Sequence, residues 1–197
     1  MEPSARQLVD QASRGDARSV AVLVERHLPG VLAYVRANAG AALLAREGSF
    51  DLVQSACREV LADLGRHDYR DEAGFRHWMF LAAERKILDR ARYHGREKRA
   101  GGREALSLSA AEASLLERGY GSFSTPSAAL LRREEIEALE RGLAALSEEH
   151  RQVILLSKIV GLPHADIARE LGKSEVAVRS LLHRALARLA LELGGEA

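Results

Sequence analysis

Apolar positions recur every three to four residues along most of the chain, so the pattern is helical nearly throughout. From Ser4 to about Ala45, Leu8 and Ala12, then Val20, Leu23, Val24 and Leu28, mark helices. Gly15-Asp16 interrupts them, with Asp16 placed as an N-cap. Pro29-Gly30 would ordinarily stop a helix, yet Val31, Leu32 and Val35 resume the period at once. Pro29 therefore predicts a kink or a new first turn. After Gly48-Ser49 a stripe of Phe50, Val53, Cys57, Val60, Leu61 and Leu64 predicts a second block, ended by Gly65. A third begins near Ala73, with Phe75, Trp78, Met79, Leu81, Ala82, Ile87 and Leu88 on its apolar face.

Periodicity fades from Gly95 to Pro126, where Gly101-Gly102, Gly119, Gly121, Ser122, Ser124 and Thr125 read as a flexible linker. A short helix around Ala110–Leu116 is expected within it. A long helix follows from about Ser127 to Ala145. Next come a segment capped by Ser147 with Glu148 and Glu149 in its first turn, and a segment His164–Leu171 preceded by Pro163. Gly172-Lys173 makes a turn, and Ser174 caps a final helix to about Leu191. No strand pattern and no internal repeat interrupt this order. The expected fold is all-α, with two helical domains joined by a flexible linker.

Helix, glycine-containing turn and second helix make a helix-turn-helix. Val178, Leu181, Leu182, Ala185 and Leu189 face its core. Ala177, Arg179, Ser180, His183, Arg184 and Arg188 form the opposite face, which suits a major groove. Small Ala168 permits a close crossing of the two helices. Taken alone, those arginines are equally a solvated helix face.

Composition narrows the picture. With 47% hydrophobic and 29% charged residues, the chain is a foldable soluble type. The net charge of +1 decides nothing, because binding depends on where charge sits. Between Arg85 and Arg103 it does concentrate: eight basic and two acidic residues leave a local charge of +6. Such a stripe attracts phosphate backbone. The single cysteine, Cys57, cannot form an internal disulfide and reads as a small apolar residue. No signal peptide or membrane-length apolar run is present, so the expectation is a cytoplasmic protein without membrane insertion. The seven histidines are scattered, and no hydrolase, zinc or phosphate-loop motif occurs. No catalytic residue, metal site or cofactor is assigned.

Leu146-Ser-Glu-Glu-His-Arg-Gln-Val153, Gly161-Leu162, Asp166-Ile-Ala-Arg-Glu-Leu-Gly172, Ser174-Glu-Val-Ala-Val-Arg-Ser180 and Leu182-His-Arg-Ala185 closely resemble the fourth domain of bacterial RNA polymerase sigma factors. In that family this domain reads the minus-thirty-five promoter element. The resemblance assigns DNA contacts to Ser174, Ala177, Arg179, Ser180, His183 and Arg184. The chain departs from the family at Pro163-His164-Ala165, and at Leu181, where a basic residue is common.

Asp51-Leu52-Val53-Gln54 resembles the second-domain motif that docks on the polymerase clamp. Asp51 and Gln54 share a helix face, with Val53 expected inward and Leu52 partly exposed as an anchor. An ordinary amphipathic helix capped by Asp51 is the competing reading. Phe75-Arg-His-Trp-Met-Phe80 and the basic residues after it resemble the family's promoter-melting and minus-ten helices, which assigns DNA contacts to Arg76, Trp78, Arg85, Lys86 and Arg92. By its composition Trp78 reads first as a core residue. The resemblance places a flipped-base pocket at the loop 67–74, with Tyr69, Phe75, Trp78 and Phe80 as the available aromatics. Glu84 stands where the family has Asn: either Arg76 or Arg85 is its partner, or this helix reads an unusual promoter.

The large acidic domain of housekeeping sigma factors is missing. That makes the resemblance one to the small extracytoplasmic-function (ECF) class of the sigma-70 family. The domains expected from it are 1–95 (sigma domain 2-like), 96–126 (linker) and 127–192 (sigma domain 4-like). The implied partners are core RNA polymerase, promoter DNA and an anti-sigma factor. Two other classes fit a bare helix-turn-helix: a dimeric regulator with an N-terminal sensing domain, and a helical adaptor that binds only protein. The basic stripe counts against the first, and salt-dependent DNA binding would exclude the second.

Overall fold

A computed structural model describes residues 4–63, 71–96, 109–123 and 133–194. All the regular structure among them is helical, and the chain divides into two compact units, Met1–Ser109 and Ala110–Ala197.

The first unit is built from α1 (Ala5–Ser13), α2 (Ala17–Asn38), α3 (Ala41–Glu47), α4 (Ser49–Ala62) and α5 (Glu72–Arg96). A capping box starts α1: the Gln7 N–H donates to Ser4 Oγ at 3.3 Å, and the Ser4 N–H to Gln7 Oε1 at 2.8 Å. Asp16 caps α2 by accepting from the Ser19 N–H at 2.8 Å. That helix continues through Pro29 rather than restarting there. Proline has no N–H to bond the carbonyl four residues back, which costs about 3 kcal/mol. Burial of Val31, Leu32 and Val35 on the next turn outweighs that loss. Gly40 and Gly48, at φ 72° and 74°, bracket the short α3 in left-handed geometry.

Helices α2, α4 and α5 share the core of this unit, and α1 packs on α2. Leu23 and Leu32 of α2, Leu52, Val53, Ala56 and Val60 of α4, and Phe75, Met79, Ala82 and Ile87 of α5 are all buried. Edge-on ring pairs join Tyr34 to Phe80 (5.3 Å) and Phe75 to Trp78 (6.0 Å). At the start of α5, Glu72 pairs with Arg26 (2.9 Å) and with His27 (3.1 Å), both from α2.

The second unit begins at α6 (Ala110–Gly119), inside the stretch read as linker, because Leu116 and Tyr120 are fully buried. The Tyr120 hydroxyl donates to Glu140 Oε1 at 3.2 Å, and the Ser122 hydroxyl to the Lys158 carbonyl at 2.8 Å. Then come α7 (Arg133–Ala145), α8 (Glu148–Ile154), α9 (His164–Glu170) and α10 (Glu175–Gly194). Of the long helix expected from Ser127, residues 127–132 lie outside the described residues. Ser147 caps α8, accepting from the His150 N–H at 3.4 Å. Helix α8 opens into a wider turn, Leu155–Ile159, before Gly161 stops it at φ 70°.

Two predictions follow from this packing. Burial pushes His27 below its ordinary value of 6.5, the Glu72 carboxylate opposes that, and Arg76 and Arg26 add to it. The folded state therefore takes up this proton less readily than the unfolded chain. The stabilisation is complete above pH 6.5 and is lost as pH falls below it. Thermal unfolding from pH 7.5 to 5.5 is expected to show a loss that His27→Gln reduces, by at most about 1.4 kcal/mol per pH unit. In the second unit, a Cβ at Gly142 would stand 3.1 Å from Leu189 Cδ1 and 3.3 Å from Leu193 Cδ2. Gly142→Val is expected to lower stability by about 1–3 kcal/mol through overpacking, as read by urea unfolding.

Candidate nucleic-acid interface

The turn between α9 and α10 sets up the first surface. Gly172 takes φ 62°, which admits a sharp reversal without a Cβ penalty. The Lys173 N–H returns to the Ala168 carbonyl at 2.8 Å, closing the end of α9. Ser174 accepts from the Ala177 N–H at 3.2 Å and so begins α10. Val178, Leu181, Ala185 and Leu189 then bury one side of α10 against α7, α8 and α9.

Ser174, Ala177, Arg179, Ser180, His183 and Arg184 are consequently all exposed, on the face that the spacing indicated. Leu182 is half-buried, and Leu181, where the family often has a basic residue, faces the core. Among the described residues, Arg179 and Arg184 form no ion pair with a carboxylate; Arg184 Nε donates to the Ser180 carbonyl at 3.4 Å. Several other charges nearby are matched. Lys173 binds Glu149 at 2.7 Å and, by hydrogen bond and charge, holds that carboxyl below its usual range. Asp166 pairs with Arg169, Glu148 with Arg151, and Glu192 with Arg188. Arg179 and Arg184 thus stand on the outer face of α10 without an ion pair among the described residues. One exposed residue there was missing from the sequence assignment: Val176, at 64% exposure, whose apolar type had suggested no polar contact.

In the first unit, Asp51 and Gln54 are exposed on one face of α4, as their spacing requires. Leu52 is not the half-exposed anchor that was expected: at 1% exposure it is as buried as Val53. Helix α4 packs on both α2 and α5, which covers two adjacent positions at once. Nor is Asp51 the N-cap. Gly48 holds that place, and Asp51 sits in the first turn, where its charge complements the helix dipole.

Helix α5 presents its basic residues on the side away from its core. Arg85 and Lys86 reach Glu59 at 3.5 and 3.1 Å, Arg92 reaches Asp89 at 3.5 Å, and Arg90 reaches Glu47 at 3.6 Å. Arg76 is half-buried near the start of the helix. The carboxylate beside Arg85 is Glu59. Trp78, at 3% exposure, belongs to the core together with Phe75 and Phe80, so none of the three offers a surface to an unstacked base. Residues 67–70 of the expected base pocket at 67–74, Tyr69 among them, lie outside the described residues. An aromatic that the sequence reading passed over, Tyr93, is 52% exposed, with Arg90 6.0 Å from its ring centre. Its signal was its place three residues after Arg90 in the basic stripe.

Cys57 is half-buried, and burial pushes its thiol up from the ordinary value. Among the described residues no cluster of His, Cys, Asp or Glu could hold a metal ion, and no helix is long and apolar enough to cross a membrane.

Comparison with known proteins agrees with this geometry. The family description "Sigma-70, region 4" matches residues 136–189, from α7 to the end of the buried face of α10. The ECF RNA polymerase sigma factor ShbA of Streptomyces griseus is 33% identical over 184 residues, covering 92% of this chain and 91% of that protein. SigD of Mycobacterium tuberculosis, also named an ECF RNA polymerase sigma factor, is 26% identical over 94% of this chain and 82% of its own length. The solved structure of CnrH in complex with the cytosolic domain of CnrY shares the fold, with a TM-score of 0.58, 24% identity, and coverage of 98% of this chain and 99% of that one. A chain that is similar over nearly its whole length to such proteins, and that carries the region-4 helix-turn-helix with its outer face exposed, belongs to the ECF sigma factors of RNA polymerase, which direct transcription initiation.

Proposed function

We propose that residues 1–95 dock this sigma factor on core RNA polymerase and engage the minus-ten region, that 96–126, whose α6 packs within the second unit, join the two parts, and that 127–192 read the minus-thirty-five element. The observation that carries this reading is the outer face of α10. Ser174, Ala177, Arg179, Ser180, His183 and Arg184 are all exposed, and neither Arg179 nor Arg184 pairs with a carboxylate among the described residues. An exposed recognition-helix face with unmatched guanidinium groups suits base edges and phosphates. Asp51 and Gln54 are the polymerase-contacting groups, while buried Leu52 and Val53 hold α4 so that they point outward. Arg76, Arg85, Lys86 and Arg92 supply backbone contacts near the minus-ten region; Trp78 supports them from the core. Glu59 and Asp89 would exchange their cations for phosphate when DNA binds, which makes the contact salt-dependent.

The protein has no chemical step of its own in this reading. It works in the cytoplasm beside the polymerase, and its binding to unpaired bases offsets the cost of strand separation. CnrH, with its CnrY partner, is the precedent for an anti-sigma factor as a further partner.

Two experiments test this assignment. Wild-type protein is expected to pull down bacterial core RNA polymerase, and the double variant Asp51→Ala, Gln54→Ala to lose about 1–3 kcal/mol of that affinity. Unchanged affinity would remove the docking face. With the polymerase bound, Arg179→Ala and Arg184→Ala are each expected to weaken upstream promoter binding by about 1–3 kcal/mol and to relax base preference at one position. Full selectivity in both would remove the recognition face.

A further inference from the structure

Val176 is a large apolar side chain held in water on the outer face of α10, which also carries Arg179 and Arg184. It is 64% exposed; the other exposed large apolar residues of this unit among the described ones, Leu191 and Leu193, lie at the far end of α10. At about 100° per residue, Val176 stands on the opposite side of the helix from the buried row Val178, Leu181, Ala185 and Leu189. Ser180 and His183 continue its line, and Ala177 beside it is small. A β-branched side chain in a helix keeps essentially one rotamer, so Val176 projects its two methyl groups in a fixed direction with little entropy left to lose. Helix formation does not call for valine there, because its propensity is among the weaker ones.

An apolar point with Arg179 one turn further along the helix, and Arg184 beyond it on the same outer face, is complementary to an apolar point flanked by anions. In the major groove that point is the C5 methyl of thymine, which lies between two phosphate backbones. We propose that Val176 is a specificity-determining residue that reads a thymine in the upstream promoter element by packing its methyl groups on that C5 methyl. This inference rests on the promoter-reading role of α10 and adds the base that one residue of it selects. It also supplies discrimination by an uncharged contact, where neighbouring arginines provide mostly charge.

The test uses full-length protein assembled with bacterial core RNA polymerase. Duplexes selected from a randomised library define the preferred upstream element, and each thymine in it is then replaced singly by deoxyuridine, which removes only the methyl group. One replacement is expected to weaken binding by wild type about fourfold, the effect of exposing a single methyl to water. Val176→Ala is expected to bind the thymine and deoxyuridine forms equally at that position, while Arg179→Ala still distinguishes them. The exposed site lets Val176→Ala fold normally, which its unfolding temperature checks. Wild-type binding that is indifferent to every deoxyuridine replacement overturns the proposal, as does a Val176→Ala variant that keeps the fourfold difference. A library that yields no preferred upstream element overturns the promoter reading itself, and the core-polymerase pull-down separates that failure from a loss of assembly.

Discussion

The second unit depends on the burial of one side of α10. Val178, Leu181, Ala185 and Leu189 lock that helix against α7, α8 and α9, and its rotation about its own axis is then no longer free. Everything on the other side becomes exposed as a set: Ser174, Val176, Ala177, Arg179, Ser180, His183 and Arg184. A reading surface needs that rigidity, because a base edge is recognised only by groups held in register. The left-handed turn at Gly172 and the cap at Ser174 set where the helix begins. Gly142 lets α7 approach Leu189 and Leu193 closely, which seats the far end.

The first unit solves a related problem with a different arrangement. Helix α4 lies against both α2 and α5 and is covered over a wide arc. Asp51 and Gln54 are among the positions that remain exposed. On α5 the same logic divides aromatic from basic residues. Phe75, Trp78 and Phe80 stabilise the bundle, while Arg85, Arg90 and Arg92 face outward beside carboxylates. Those ion pairs are exposed and weak, so they keep the cations ordered without committing them.

Local features were legible in the residues alone. Asp16, Ser147 and Ser174 act as caps because a short polar side chain meets the backbone N–H two or three residues on, whatever the tertiary context. Gly161 and Gly172 stop helices because they take left-handed geometry at no steric cost. The 3.6-residue period placed Val178, Leu181, Ala185 and Leu189 inside and the arginines outside, because a helix packed on one side obeys that period. The resemblance of these same residues to sigma factors gave the family.

Where a helix is packed from more than one side, the period stops deciding. Leu52 was expected to be partly exposed and is buried, because α4 has two neighbours. Pro29 was expected to kink a helix or start a new first turn, and the burial of the turn after it keeps α2 continuous. Trp78 carried two readings until its contact with Phe75 placed it in the core. Val176 gave no signal as a surface residue, since an apolar type says only that burial is favourable and not that a partner is available. The sequence by itself determined which segments are helical, where most of them start and stop, and which face of α10 is polar, since these follow from short-range bonding and period. Which apolar residues stay in water, and which cations keep no carboxylate beside them, was decided only by tertiary structure, because burial and ion pairing depend on neighbours distant in the chain.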